Sequence, residues 1–136
     1  MKYRVLREGL AVCQLAAGAR VPEWALGGGF FCVTRTAEEL SIVCEEGRVP
    51  EGVRVERDWV GLKLEGPFPF SMTGVLTSFL GPLAEAGIPI FAVATFDTDY
   101  VLMKREKLEQ AVRVLGAAGH ARVRSDANFL SADSRG

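Results

Sequence analysis

The chain of 136 residues has a single histidine, His120, and only three cysteines, at positions 13, 32 and 44. A Cys–His or Ser–His–Asp catalytic set would have to use His120, and no nucleophile is placed near it. The cysteine count is odd and no C-x-x-C spacing occurs, so neither a disulfide frame nor a zinc site is indicated. Each cysteine lies in an apolar, strand-like segment, where it reads as a small buried hydrophobe. Charge of one sign is also missing. Sixteen Lys and Arg face seventeen Asp and Glu, giving a net charge of −1, far from the basic field that nucleic-acid binding needs. The longest apolar stretch, Ile88–Phe96, is well short of the ~20 residues of a membrane-spanning helix. The opening Met-Lys-Tyr-Arg-Val-Leu-Arg-Glu carries positive charge, but no apolar segment of a signal peptide follows it. A cytoplasmic protein with no nucleic-acid or membrane partner is expected.

Other chemistries lack their residues. Gly27-Gly28-Gly29 is not followed by the Lys-Ser/Thr of a phosphate loop. Asp97 and Asp99 have no further carboxylate or histidine at ligand spacing, so no metal and no other cofactor is expected. The aromatic, basic strand motif of RNA-recognition domains is absent, although the element order below would suit one. Trp24 and Trp59 read as core or interface residues.

Hydrophobic content is 49%, enough for a packed core. In the first half, Leu10–Leu15 reads as a strand and Pro22–Leu26 as one helical turn. Phe30–Thr34 and Leu40–Cys44 form a hairpin around 35–39, Glu45–Gly52 is a polar turn, and Val53–Arg57 is a fourth strand. In the second half, Trp59–Glu65 alternates as a half-buried strand. Gly66-Pro67 and Pro69 mark a loop. Met72, Val75, Leu76, Phe79, Leu80 and Leu83 then fall on one helical face. Ser71 or Thr73 can cap that helix, Pro82 should kink it by removing the N–H that would bond to Ser78, and Gly87 should end it. Strands at Pro89–Thr95 and Tyr100–Met103 follow, then a helix carrying Leu108, Ala111, Val112 and Leu115, then a short strand at Ala121–Arg124. Phe79, Leu83, Ile90, Val93, Leu102, Val112 and Leu115 should be buried together between helices and sheet.

The fold class that follows is α+β, with strand, helix, strand, strand, helix, strand in ferredoxin-like order in the second half. The first half repeats this order in reduced form. Phe31–Val43 aligns with Phe91–Met103 at a constant offset of 60, which favours duplication. Residues 1–58 form a degenerate first module, 59–125 a complete second one, and 126–136 a flexible tail.

The segments Thr73-Gly74-Val75-Leu76, Pro82-Leu-Ala-Glu-Ala-Gly87-Ile-Pro-Ile90 and Ala94-Thr-Phe-Asp-Thr-Asp-Tyr-Val-Leu102 together resemble an ACT domain. Gly29–Val43 extends the likeness to bacterial tandem-ACT proteins described as aspartate-kinase-like, and to the CASTOR family of cytosolic arginine sensors. The resemblance covers roughly residues 8 to 124. It implies tandem ferredoxin-like ACT modules, binding of a free amino acid or similar small ligand, regulation rather than catalysis, and a homodimer with a regulated protein partner. It also implies ligand contacts at Gly74, at Ile88, Pro89 and Ile90, and at Thr95, Phe96 and Asp99. The first repeat has Arg35, Thr36 and Glu39 where the second has Thr95, Phe96 and Asp99, so only the second matches the binding pattern.

Physical chemistry bears on the same place. A helix start at Ser71–Gly74 offers unpaired N–H groups to a carboxylate, and Gly74 lets a ligand approach the backbone. Asp97 and Asp99 can face an ammonium; the alternative reading is that both close a turn. Neutral and basic amino acids therefore rank above acidic ones. The competing expectations are a ferredoxin-like enzyme with an unrecognised site and a ligand-free protein-interaction module.

Overall fold

The structure, a computed structural model, describes residues 1–66, 68 and 74–124. Ser71, Met72, Thr73, the Pro67 and Pro69 markers and the expected tail at 126–136 lie outside the described residues. The chain divides into two compact units. One holds Arg7–Trp59; the other holds Met1–Leu6 and the described residues from Val60 onward. Met1–Leu6 thus sit with the second module, not with the first as the 1–58 division expected. The reason is β1 (Lys2–Val5), a strand that the sequence reading left out.

The Arg7–Trp59 unit contains β2 (Leu10–Leu15), β3 (Cys32–Arg35), β4 (Leu40–Glu45) and the first half of β5 (Arg54–Leu64). Their order in space is β3-β4-β2-β5, the ferredoxin-like order with each helix reduced to one 3-10 turn, Glu23–Ala25 and Glu46–Arg48. Ala11, Cys13, Ala25, Leu40, Ile42 and Cys44 make its core.

β5 is one strand where the sequence suggested two, Val53–Arg57 and Trp59–Glu65. A β-bulge joins them. Leu10 opposes Trp59 and Val12 opposes Glu56, so one extra residue of β5 is accommodated between these pairs. Asp58 takes the left-handed conformation there (φ 67°), which aspartate tolerates better than most residues. Its N–H donates to Glu46 Oε1 at 3.2 Å. The second half of β5 then serves as the first strand of the other unit.

That unit continues with α1 (Val75–Glu85), β6 (Phe91–Ala94), β7 (Asp99–Lys104), α2 (Leu108–Ala117) and β8 (Ala121–Arg122). The strand order is β6-β7-β5-β1-β8, with β1 antiparallel to β5 and parallel to β8. The N-terminal strand is therefore slotted between the first and fourth strands of the ferredoxin-like order. α1 runs through Pro82. Both helices end in the same way. Gly87 (φ 74°) and Gly119 (φ 95°) turn the chain left-handed, and Ile88 N–H bonds to Leu83 O as His120 N–H bonds to Leu115 O. With Gly87 N–H on Ala84 O and Gly119 N–H on Gly116 O, these are two Schellman motifs.

The core between helices and sheet is Tyr3, Val60, Leu62, Leu64, Phe79, Leu83, Ile88, Val101, Met103, Ala111 and Leu115. Phe79, Leu83 and Leu115 were expected there. Ile90 packs at its edge, while Val93 and Val112 are half-buried and outside it. Leu102 is fully buried, yet it is Val101 and Met103 that join the helix-facing core. A slip of one residue explains this. In the first hairpin Arg35 pairs with Leu40 and Cys32 with Val43; in the second Ala94 pairs with Asp99 and Phe91 with Leu102. Arg35 therefore corresponds to Ala94 and Cys32 to Phe91, an offset of 59, not 60. Because a strand alternates faces, an error of one residue exchanges inside for outside. Ile42 and Cys44 match Val101 and Met103, each pair facing its own core.

Candidate functional site

The hairpin between β6 and β7 closes through a tight turn built on two threonines. Thr95 N–H donates to Thr98 O at 2.8 Å and Thr95 Oγ1 donates to the same oxygen at 2.9 Å. Thr98 N–H returns to Thr95 Oγ1 at 3.3 Å. Thr98 is itself buried, and its hydroxyl donates to Leu64 O at 2.7 Å, anchoring the turn to β5. The chain leaving β5 is tied to the same turn. Phe68 N–H donates to Asp97 O at 3.0 Å. A Cβ on Gly66 would stand 2.9 Å from that oxygen, so the approach requires glycine.

These ties leave a cleft of about 250 Å³ between the turn and the start of α1. Ala94, Thr95, Phe96, Asp97, Thr98 and Asp99 line one wall; Phe68 and Gly74–Thr77 line the other. Gly74 precedes α1 with φ 78°, a conformation that other residues rarely adopt, and it offers no side chain to cap the helix. A Cβ there would meet nothing within 4 Å, so the glycine serves backbone conformation and leaves the cleft open. The first-turn N–H groups of an α-helix have no carbonyl partner within the helix. They give this wall positive potential. The carboxylates of Asp97 and Asp99 give the other wall negative charge. Phe96, 79% exposed, stands at the turn as an apolar rim.

Five of the residues named from the sequence therefore come together: Gly74, Thr95, Phe96, Asp97 and Asp99. Ile88, Pro89 and Ile90 do not line the cleft. Ile88 is the buried residue of the α1 Schellman motif, Ile90 packs on the core, and Pro89 is exposed. Phe68, Val75, Leu76, Thr77, Ala94 and Thr98 line the cleft without having been named as site residues. Thr98 had a signal, the Thr-x-x-Thr spacing of a side-chain-closed turn. Among the described residues no group of three or more His, Cys, Asp or Glu could hold a metal ion. No described helix is long and apolar enough to cross a membrane.

The first hairpin uses the same turn. Thr36 N–H donates to Glu39 O at 2.9 Å, and Thr36 Oγ1 accepts from Glu39 N–H at 3.2 Å. A shallow depression elsewhere in that unit is lined by Glu23, Trp24, Leu26 and Arg48. The Arg48 guanidinium is held at 2.9 Å by Trp24 O and lies over Gly27, where a Cβ would be 2.3 Å from it.

The ACT-domain family model matches residues 54–117, and a second model, describing an N-terminal domain, matches residues 8–52. A crystal structure of a structural-genomics protein from Agrobacterium tumefaciens is 42% identical with a TM-score of 0.87, covering 92% of this chain and 93% of that one. The regulatory subunit of aspartate kinase from Thermus thermophilus shares the fold at 12% identity and TM-score 0.57, over 85% of this chain and 97% of that one. The human protein CASTOR3P is 29% identical over 101 residues. That match covers 65% of this chain and 62% of CASTOR3P, so the chain spans less than two thirds of that relative.

Proposed function

The chain belongs to the ACT-domain family, and from that premise we propose that it is a regulatory module binding one free amino acid in the cleft between the Thr95–Thr98 turn and the start of α1. The observation that carries this reading is the pairing of unlike walls. A helix start with no side-chain cap at Gly74 faces two carboxylates, Asp97 and Asp99, across one cleft. A zwitterion complements both: its carboxylate meets the helix start, and its ammonium meets an aspartate. The volume, about 250 Å³, is below the roughly 300–1,000 Å³ of drug-sized sites and suits a molecule of amino-acid size.

Charge ranks the ligands. A second negative charge would be placed near Asp97 and Asp99, so aspartate and glutamate bind less well than neutral or basic amino acids. The module acts by binding and not by catalysis, with a regulated protein as its downstream partner and the cytoplasm as its compartment. It works as a homodimer, since a two-fold axis is the commonest way for one module to complete a shared surface. A thermal-shift screen over the amino acids tests the reading. A ligand at a hundred times its Kd adds about 2.7 kcal/mol of apparent stability, whereas an unresponsive protein would favour a pure interaction module.

A further inference from the structure

In the Arg7–Trp59 unit, the position equivalent to one wall residue of this cleft carries an exposed arginine that bonds to the unit's own loop. The 59-residue offset sets Arg35 against Ala94. Each is the last residue of its strand, paired with Leu40 and Asp99 respectively. Where Ala94 lines an open wall, Arg35 extends toward the loop that follows β2. Its Nη1 donates to Ala17 O, and its Nη2 donates to Ala19 O at 2.7 Å. The loop is shaped for this by a turn in which Ala19 N–H bonds to Ala16 O at 2.9 Å. That turn presents the carbonyls of residues 17 and 19 to one planar guanidinium, whose rigid fork of donors suits two acceptors at once. The hairpin's Glu39 takes no part, since its carboxylate accepts from Gln14 Nε2 at 3.0 Å.

We propose that the carbonyls of Ala17 and Ala19 form a second, cation-accepting site that Arg35 occupies from within, and that removing this side chain opens the site to small guanidinium compounds. The first module thus carries a bonded arginine at the position where the second has the cleft-lining Ala94. This inference rests on the hairpin register and the Arg35 contacts, and it stands whether or not the other cleft binds an amino acid.

The test is chemical rescue of Arg35→Ala with methylguanidinium at about 10 mM, read as Tm, with equal tetramethylammonium as the ionic control. The substitution should lower Tm by about 2–4 °C. Methylguanidinium should restore at least half of that loss in a saturable manner, and should leave the wild type unmoved because Arg35 already fills the site. Equal responses in both proteins, or none in the variant, would overturn the proposal. If Arg35→Ala does not fold, nitrogen-15 NMR of the wild-type arginine side chains decides. One guanidinium should show hindered rotation and disappear in Arg35→Lys. Free rotation of the Arg35 guanidinium would overturn the proposal.

Discussion

His120 donates its Nε2 proton to the carbonyl oxygen of Ser78 across 3.0 Å. In a regular helix that carbonyl would accept from the N–H of residue 82, but residue 82 is proline and has none. The histidine ring thus supplies the donor that the helix lacks, and Pro82 is carried inside α1 with its orphaned acceptor satisfied. The other ring nitrogen, Nδ1, lies 3.1 Å from the Met1 amino group, and the ring meets Phe79 edge-on at 5.2 Å between centroids. His120 is therefore a structural residue linking α1, the end of α2 and the strand β1.

A double-mutant cycle checks this. His120→Ala should cost about 1–2 kcal/mol of stability in the wild type. In a Pro82→Ala background, where residue 82 regains its N–H, it should cost about 0.5–1 kcal/mol less. Additive effects in denaturant melts would mean that the two residues are not coupled.

Leu83 is fully buried and sits at the C3 position of the α1 Schellman motif, whose partner Ile88 shares its core. Leu83→Ala should cost about 2–5 kcal/mol, because such a site collapses only in part. A loss below about 0.5 kcal/mol in urea unfolding, typical of a surface change, would contradict the packing.

Much of this architecture was legible because it rests on local patterns. Leu10–Leu15 is a strand with the bounds expected of it, Gly87 ends α1, and the chain turns between β6 and β7 through Thr95–Thr98. The failures have physical causes of their own. β1 was missed although Tyr3 and Val5 face the core while Lys2 and Arg4 do not, because four residues of alternation are too few to stand out from a polar terminus. The β5 break was expected because a bulge residue such as Asp58 interrupts alternation without ending a strand. The hairpin repeat was aligned one residue out because identical Phe31/Phe91 and Val33/Val93 matches outweighed the turn chemistry, whereas the Thr36 and Thr95 turns fix the true register. In the cleft, side chains on the turn could be named from the sequence. Ile88 came into the same set from the resemblance to ACT domains; in the structure it packs in the core at the end of α1 and does not line this cleft.

Thr98→Val should separate turn geometry from bulk. The substitution keeps the shape but leaves the Leu64 carbonyl without its 2.7 Å donor and removes nothing else from the core. A cost of about 1–3 kcal/mol is expected, with faster amide exchange at Phe68, whose N–H is held by the adjacent Asp97 carbonyl. An unchanged melt and unchanged exchange would show that the anchor is dispensable.

Burial pushes the Cys13 thiol from 9.0 up to about 11, reinforced by the neighbouring Cys44 thiol and partly opposed by Arg57. Burial likewise raises Cys44, against the pull of Arg48, and raises Tyr3 against the pull of Arg122. The folded state thus holds these protons more tightly than the unfolded chain does. The Cys13 contribution to stability is complete below about pH 9 and declines as the pH rises through about 11. Urea midpoints should fall across that window, and Cys13→Val should flatten part of the slope. A midpoint independent of alkaline pH would contradict the burial of these groups.

The most direct test of the account is calorimetric titration of wild type and Asp99→Asn with the free amino acids. A neutral or basic amino acid should bind the wild type at one site per chain, and Asp99→Asn should weaken that binding by about 1–3 kcal/mol while leaving the fold intact. Binding that is unchanged by the substitution, or tighter binding of aspartate or glutamate by the wild type, would contradict the placement of the ligand ammonium at Asp99 in the cleft.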